Sequence, residues 1–325
     1  MSTLRAAVIG TGYLGRFHAQ KYAALEDIKL VAVADVNPVR AREAAAPYGI
    51  PAYTDFRDIL EQVDLVSIAV PTEHHFGVAR ACLDAGLHVL LEKPITQTVA
   101  EAEELIRIAQ ARGRVLQIGH LERFNPAVVA MGDIVRNPIF IESHRLAKFK
   151  PRGTDVNVIL DLMIHDIDII LSLVQSPVRS LRAVGLPVLS SEIDIANARL
   201  EFDNGCVANV TASRVSQQSM RKIRVFQPQA YISVDYQGRR LHVHRRVSEA
   251  LEPGGIPGIR TEEQDFPVAD PLMAEIRAFV DAVRNGIPPK VSGADGKRAL
   301  EVALAISRDI EAGPAAVGLR REDRP

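Results

Sequence analysis

The sequence is poor in cysteine, with only Cys82 and Cys206 among its 325 residues. The two are far apart and fall in different predicted domains, so we expect no disulfide framework and a reducing compartment. A charge imbalance is also lacking, because 39 Lys and Arg residues are interleaved with 40 Asp and Glu residues. The charge pattern therefore gives no reason to expect binding to nucleic acid or to an anionic membrane.

No long apolar run is free of polar groups. The longest, residues 158–174, is interrupted by Asp161, His165, Asp166 and Asp168, which argues against a membrane span. The first five residues lead directly into a strand pattern without a cleavable apolar segment, so we expect a soluble, cytoplasmic protein. A length of 325 residues, of which 47% are hydrophobic, favours two packed domains.

A glycine-rich turn follows the first predicted strand, residues 6–9. It reads Gly10-Thr-Gly12-Tyr13-Leu14-Gly15 and precedes a predicted helix, a second strand and Asp35. This order is the dinucleotide-binding fingerprint, in which the glycines let a pyrophosphate approach and the helix N-terminus binds it. Asp35 is placed to bind the adenosine ribose and to repel a 2′-phosphate, which predicts NAD rather than NADP. The alternative is a glycine-rich turn in another βαβ unit.

Six predicted strands alternate with helices as far as residue 122. This pattern predicts an α/β Rossmann domain, a doubly wound parallel sheet, over residues 1–122. Residues 123–325 instead show a block of strands, with a hairpin turn at 203–205, a predicted loop at 251–261 and helices at both ends. We predict a C-terminal α+β domain with an open, mostly antiparallel sheet. Its closing helices are candidates to pack back on the first domain, and its uncovered sheet face predicts a homodimer or homotetramer.

The fifth predicted strand, residues 88–91, ends in Glu92-Lys93-Pro94. Ligands of open α/β sheets bind at the carboxyl ends of the strands, and Pro94 restricts the backbone of Lys93. Lys93 is therefore a candidate functional residue, although a solvated lysine after an ordinary strand is the alternative. His74 and His75 reach the same edge of the sheet, where they either contact cofactor or substrate or are merely exposed.

A polar stripe runs along the apolar helix predicted for residues 158–174. Its members are spaced by four, three and four residues: Asp161, His165, Asp168 and Ser172. The stripe either lines a cleft or faces solvent, and an Asp–His pair that stabilises the core is a further alternative. Alcohol oxidation by NAD needs a base for the hydroxyl proton, which a histidine or a lysine can supply near neutral pH. Zinc is a rival interpretation, but no third ligand or cysteine pair has suitable spacing.

The sequence resembles the Gfo/Idh/MocA family of NAD(P)-dependent oxidoreductases. The resemblance runs nearly the whole chain and includes the stretches 10–15, 85–94, 161–165 and 291–296. It implies that Lys93 and His165 are catalytic and that Asp161 contacts substrate or supports His165. Thr72 departs from the family, which commonly has asparagine there, and Asn157-Val158 replaces the glycines that often precede the Asp-x-x-x-His helix. Cofactor contacts are implied for Gly10, Gly12, Tyr13, Leu14, Gly15, Asp35, Val70, Thr72, His75, Glu92 and Lys93.

Three stretches, 119–126, 151–155 and 161–168, resemble the sugar-nucleotide 3-dehydrogenases of this family. The resemblance implies oxidation of the 3-hydroxyl of UDP-N-acetylglucosamine or its uronic acid, ahead of transamination in lipid A or surface polysaccharide synthesis. Arg123, Lys148, Lys150 and Arg152 are candidates for a diphosphate, and Asn125 for an N-acetyl group. The implied substrate-binding set is Lys93, Arg123, Asn125, Arg152, Asp161 and His165. The alternatives are a dehydrogenase of a free sugar or inositol and a non-catalytic NAD(H)-binding regulator.

Overall fold

The computed structural model describes residues 3–149, 156–252 and 256–313. The chain divides into two compact units. One combines Met1–Phe124 with Asp270–Leu300, and the other combines Asn125–Ala269 with Glu301–Pro325. Lys150, Arg152 and the charged tail after Gly313 lie outside the described residues.

The first unit contains a six-stranded parallel sheet in the order β3-β2-β1-β4-β5-β6. Its strands are short apolar runs whose side chains are buried on both faces, as in other doubly wound sheets. The strand order reverses between β1 and β4, which is where open α/β sheets bind ligands. The predicted Rossmann architecture is confirmed. The strands are β1 (Leu4–Ile9), β2 (Ile28–Ala34), β3 (Ala52–Tyr53), β4 (Leu65–Ile68), β5 (His88–Glu92) and β6 (Leu116–Gly119).

Four helices connect these strands, and local sequence explains where they begin. Asn37 caps the second helix by accepting hydrogen bonds from the backbone N–H groups of Val39 and Arg40. Thr98 and Glu101 form a capping box at the start of the fourth. The helices are α1 (Tyr13–Ala23), α2 (Pro38–Ala45), α3 (His75–Asp84) and α4 (Val99–Arg112).

The second unit contains an eight-stranded sheet in the order β14-β13-β12-β11-β7-β10-β9-β8, together with the helices α5 and α6. Every neighbouring pair is antiparallel except β7 with β10. Burial alternates along the strands, so one face of the sheet supplies the core, and the predicted open, mostly antiparallel sheet is confirmed. The elements are α5 (Pro126–Ile134), β7 (Phe140–Leu146), α6 (Ile164–Val174), β8 (Val178–Leu186), β9 (Ile195–Phe202), β10 (Val207–Ser213), β11 (Met220–Gln227), β12 (Ala230–Asp235), β13 (Arg240–Glu252) and β14 (Ile256–Asp265).

The loop predicted for residues 251–261 is wrong over most of its length. Strand β13 continues to Glu252, and β14 begins at Ile256 and pairs with it, with Leu251 opposite Pro257. Because β14 is the edge strand of the sheet, a proline there removes no hydrogen bond that a further neighbour would need. Pro257 and Gly258, which contributed to the loop prediction, are therefore compatible with an edge strand.

Two further helices close the described chain, α7 (Pro271–Asn285) and α8 (Gly293–Ala312). Helix α7 belongs to the first unit, where its side chains Ile276, Phe279 and Val280 are fully buried in the same core cluster as Val8 and Leu90. A late segment of the sequence thus completes the core of the nucleotide-binding unit. In the part of the chain that the structure describes, no helix has both the length and the apolar character required to cross a membrane.

Candidate active site

The glycine-rich turn of the first unit has the shape that a bound pyrophosphate requires. Gly10 has φ +87°, and a Cβ atom there would lie 2.7 Å from the carbonyl carbon of Ala69. At Gly15 a Cβ atom would lie 1.8 Å from the carbonyl oxygen of Gly10, so only glycine lets α1 start this close to the turn. A Cβ atom at Gly12 would meet nothing within 4 Å, which leaves the backbone open to a ligand at that point.

Helix α1 begins directly after this turn and presents its N-terminus there. Its N-cap, Gly12, has no side chain to satisfy the first backbone N–H groups, and its first turn contains no acidic residue. Such a terminus attracts a phosphate through the exposed N–H groups and the helix dipole. Tyr13 and Leu14 are exposed at the same position, where the resemblance implied cofactor contacts.

Asp35 is fixed at the carboxyl end of β2, next to the turn. One carboxylate oxygen accepts hydrogen bonds from the backbone N–H and the hydroxyl of Thr11, at 2.8 and 3.1 Å. The other accepts from the backbone N–H of Asn37 and from the guanidinium of Arg40, at 2.8 and 3.1 Å. Burial opposes the charge, but these donors outweigh it and hold the pKa of Asp35 below its ordinary value. The turn and this ionised carboxylate fit the phosphates and the ribose of a dinucleotide.

His75 is buried rather than exposed at the start of α3. Its Nδ1 lies 2.8 Å from the carbonyl oxygen of Pro94, and its Nε2 lies 3.0 Å from that of Val70. Desolvation outweighs these contacts and lowers the pKa of His75. The ring links the end of β4 to the bend after Lys93, whereas its neighbour His74 is exposed. Thr72 begins the short 3-10 turn between β4 and α3 and is half-buried.

Lys93 follows the last residue of β5 and is half-buried, with a cis peptide bond to Pro94. Glu92 ends the strand, and its Oε1 lies 3.0 Å from Nε2 of His18 on α1. The sequence analysis did not identify His18. Its only signal is its position three residues after Gly15, on the side of α1 that also buries Ala19 and packs on the sheet.

The predicted helix over residues 158–174 begins as a π-helical turn, Ile159–Met163, before α6 continues it. Asn157 caps this turn, because its Oδ1 accepts the backbone N–H of Leu160 at 3.0 Å. Asp161 lies within the π-turn and His165 is the second residue of α6, and both are half-buried. Single π-turns within α-helices are frequent at functional sites, so this irregularity agrees with the residues it carries.

The other two members of the polar stripe are Ser172 and Asp168. Ser172 donates a hydrogen bond to the carbonyl oxygen of Ile169 at 2.7 Å, so it contributes to the helix itself. Asp168 is buried. The sequence analysis missed the role of Asp166, which accepts hydrogen bonds from Ser143 and Arg145 of β7 at 2.8 and 2.5 Å. This buried pair fastens α6 to the sheet beside His165.

Two of the predicted substrate-binding residues lie near the end of β6. Arg123 is half-buried in a 3-10 turn, Leu121–Phe124, of the first unit. Asn125 caps α5, because its Oδ1 accepts the backbone N–H of Ala127 at 3.1 Å. The side-chain oxygen of Asn125 is thus occupied in capping the helix.

Two family models match the chain. One, described as the oxidoreductase family with an NAD-binding Rossmann fold, covers residues 4–120. The other, described as the GFO/IDH/MocA C-terminal domain, covers residues 131–233. The chain belongs to the Gfo/Idh/MocA family. It is therefore an oxidoreductase, and its cofactor is NAD. When bound, NAD supplies the acceptor for a hydride from a substrate carbon.

Relatives within the family differ in how similar they are to this chain. UDP-N-acetylglucosamine 3-dehydrogenase of Acidithiobacillus ferrooxidans is 42% identical over 96% of this chain and 99% of its own. A crystal structure of that enzyme matches with a TM-score of 0.89, at 41% identity over 96% of this chain and 99% of that chain. Myo-inositol 2-dehydrogenase of Thermotoga maritima is 27% identical over 95% of this chain and 96% of its own.

The fold is shared more widely still. The structure of scyllo-inositol dehydrogenase from Lactobacillus casei, determined with bound NAD(H) and scyllo-inositol, has a TM-score of 0.81. At 20% identity over 95% of this chain and 97% of that chain, this likeness concerns the fold alone.

Proposed function

We propose that this enzyme oxidises the 3-hydroxyl of a UDP-N-acetylhexosamine to the 3-keto sugar, with NAD as the acceptor. The substrate is UDP-N-acetylglucosamine or its uronic acid. The observation that carries the proposal is the 42% identity, over 96% of the chain, with an enzyme named for this reaction. The reaction needs a bound hydride acceptor and a group that handles the hydroxyl proton. The glycine-rich turn is suited to binding NAD, and the π-turn carries Asp161, which is proposed to assist the proton transfer.

In this proposal Lys93 and His165 move the proton of the substrate hydroxyl. Lysine and histidine are among the side chains that act as general acids and bases, and both residues are half-buried, as a site that excludes bulk water requires. Asp161 lies one helical turn before His165 and orients its ring or contacts the substrate. Residues 1–122 are assigned to NAD and residues 123–325 to the substrate and to oligomerisation.

Arg123, Asn125 and Arg152 are assigned to the nucleotide sugar. Guanidinium groups bind diphosphates through paired, charge-assisted hydrogen bonds, which a free sugar or inositol would not need. Loss of Arg123 should therefore raise the KM for a UDP-sugar much more than it lowers kcat. We propose the same cofactor-binding residues as were named from the sequence, which include Asp35 and the glycine-rich turn.

The test is oxidation of UDP-N-acetylglucosamine with NAD, followed by NADH absorbance, while a glutamate-dependent aminotransferase removes the ketone. Removal of the ketone prevents an unfavourable equilibrium from hiding the reaction. The Lys93→Ala variant is the control for non-enzymatic or contaminating NADH formation.

The second candidate is inositol oxidation, which the 27% identical myo-inositol 2-dehydrogenase favours. Turnover of inositols but not of UDP-sugars would discard the nucleotide-sugar proposal and keep the family.

We also propose that the enzyme is a homodimer or homotetramer and that its sheet face in the second unit forms the interface. A row of rings crosses this face, with centroids 5.7 Å apart for Phe140 and Phe226 and 4.9 Å apart for Phe226 and Tyr231. Replacing Phe226 by Asp should shift the light-scattering mass toward the monomer. An unchanged mass would place the interface elsewhere.

Both cysteines are buried free thiols, which supports a cytoplasmic location as part of this proposal.

A further inference from the structure

Three ionisable side chains from three different elements are buried near the carboxyl end of β5. His18 on α1 and Glu275 on α7 are both 0% exposed, and the side chain of Glu92 on β5 is 12% exposed. The reaction proposed above assigns no role to His18 or to Glu275. Buried ionisable groups are costly to retain unless they are paired or serve a function, so each of them calls for a physical explanation.

His18 and Glu92 form a pair within this group, with Nε2 3.0 Å from Oε1. Because a carboxylate can only accept, Nε2 carries the proton and donates it. The other ring nitrogen, Nδ1, is buried and has no hydrogen-bond partner among the residues that the structure describes. The tautomer of His18 is therefore determined by Glu92 alone.

Gly119 of β6 confines the carboxyl group of Glu92 from a second side. A Cβ atom at this position would lie 3.1 Å from Cδ and from Oε2 of Glu92, and 3.2 Å from its Cα. These distances are tighter than ordinary van der Waals contacts, so the carboxyl group rests directly on the Gly119 backbone. One carboxylate oxygen is held by His18 and the other packs against Gly119, which leaves Glu92 little freedom to reorient.

The pKa values of the carboxyl groups of Glu92 and Glu275 are shifted in opposite directions. Desolvation opposes the ionisation of Glu92, but the hydrogen bond from His18 and the charges of His18, Lys93 and His75 outweigh it and lower its pKa. Desolvation and the neighbouring charge of Glu92 raise the pKa of Glu275 well above its ordinary value. Neither carboxyl oxygen of Glu275 has a hydrogen-bond donor within the described part of the chain. The carboxyl group whose pKa is lowered therefore has a donor from His18, and the one whose pKa is raised has none among the described residues.

We propose that His18 is a positioning residue for Lys93: its hydrogen bond keeps Glu92 ionised, and the Glu92 carboxylate stabilises the ammonium form of Lys93. The inference deepens the proposed function, on which the catalytic role of Lys93 rests. Lys93 directly follows Glu92 in the chain, and a carboxylate near an amine raises the proton affinity of that amine, most strongly in a buried setting. Without the donor, desolvation would dominate at Glu92, which would take up a proton and lose its effect on Lys93.

The experiment measures the proton affinity of Lys93 directly. Trace labelling of the full-length protein with acetic anhydride between pH 6 and 11, followed by mass spectrometry of the peptide that contains Lys93, gives its apparent pKa. In H18L, which removes the donor, and in E92Q, which removes the charge, the apparent pKa of Lys93 should fall by a similar amount. At a pH below the pKa, the rate of labelling then rises about tenfold for each unit by which the pKa of Lys93 falls. The H18L/E92Q double variant should show no further change.

H18Q is the matched control, because its side-chain amide N–H can occupy the position of Nε2 and keep the hydrogen bond. Its labelling curve should stay close to the wild type. If H18L does not fold, H18N replaces it as the donor-free variant. The amide group of the shorter asparagine side chain would occupy the position of Nδ1, not that of Nε2, and so cannot reach Glu92. A wild-type curve for the donor-free variant, or for E92Q, would overturn the inference. The labelling does not depend on turnover, so a shifted curve without oxidation of UDP-sugars would reject the proposed function alone.

Discussion

Nε of Arg145 lies 2.5 Å from Oδ2 of Asp166, and the two side chains are only 3% and 1% exposed. Asp166 also accepts the hydroxyl of Ser143 at 2.8 Å, so both of its oxygens are bound to β7. Because Asp166 directly follows His165, this pair sets the rotation of α6 about its axis and thereby the direction in which His165 points. We regard it as the structural support of the helix that carries His165.

Breaking this pair from one side should destabilise the second unit strongly. Asp166→Ala leaves the buried guanidinium of Arg145 without its carboxylate, which typically costs about 3–5 kcal/mol of unfolding free energy. Replacing both residues by apolar side chains, R145M with D166L, should cost much less, because no charge remains buried. Urea unfolding of the two variants checks this. Equal losses in both would show that packing, rather than the uncompensated charge, determines the effect.

Removal of either proposed acid–base residue should lower turnover. Lys93→Ala and His165→Ala are each expected to reduce kcat by roughly 10²–10⁴-fold, the usual contribution of a general acid or base. The matched control is Lys29→Ala, which removes an exposed lysine from β2 and should leave kcat within about twofold. A folded, NAD-binding variant with wild-type turnover would remove that residue from the mechanism.

Asp35 should determine the choice between NAD and NADP. In Asp35→Ser the carboxylate that repels a 2′-phosphate is lost, while Arg40, which lies 3.1 Å from it in the wild type, becomes available to bind that phosphate. The ratio of kcat/KM for NADP to that for NAD should rise by roughly 10–100-fold, since hydrogen bonds to charged groups contribute about 1.5–3 kcal/mol. In D35S/R40L most of this gain should disappear. An unchanged ratio in D35S would mean that selectivity has another origin.

Glu275 should make the stability of the protein fall as the pH rises. Its native pKa is raised above the ordinary value of 4.5, so the folded state binds a proton that the unfolded state releases. The contribution of Glu275 to the free energy of unfolding is then fully present below pH 4.5. It is lost as the pH rises from 4.5 through the raised native pKa. Glu275→Gln removes the group that titrates but keeps its shape. The Tm of E275Q should exceed that of the wild type more at pH 8 than at pH 5, and a constant difference would contradict this assignment.

Much of the first unit could be predicted because each strand is a short apolar run bounded by turn residues. The spacing of Gly10, Gly15 and Asp35 predicts a nucleotide site in a similar way, because binding at such a site depends on the shape of the backbone. The same kind of rule failed at Pro257, because a proline on an edge strand has no second neighbour to disrupt. The position of a strand within its sheet cannot be read from local sequence.

The π-turn at residues 159–163 and the partners of the buried charges were not predictable from local patterns. A helix gains an extra residue per turn only when its surroundings favour it, and the apolar sequence there fits either geometry. His18 and Glu275 are 257 residues apart in the chain, and Glu275 lies near Glu92 only because α7 returns to the first unit. A single histidine on a helix gives no information about which carboxylate it will meet.

The return of α7 to the first unit has a consequence for the synthesis of the protein. Ile276, Phe279 and Val280 fill the core beneath β1 and β5, so the first 124 residues alone would expose the apolar surface that these side chains cover. We expect that segment to remain incompletely folded and to bind NAD poorly while the ribosome is still making the second unit. A truncated product that ends before residue 270 should therefore be a substrate for chaperones and proteases, and the cofactor site should mature only when almost the whole chain has been released.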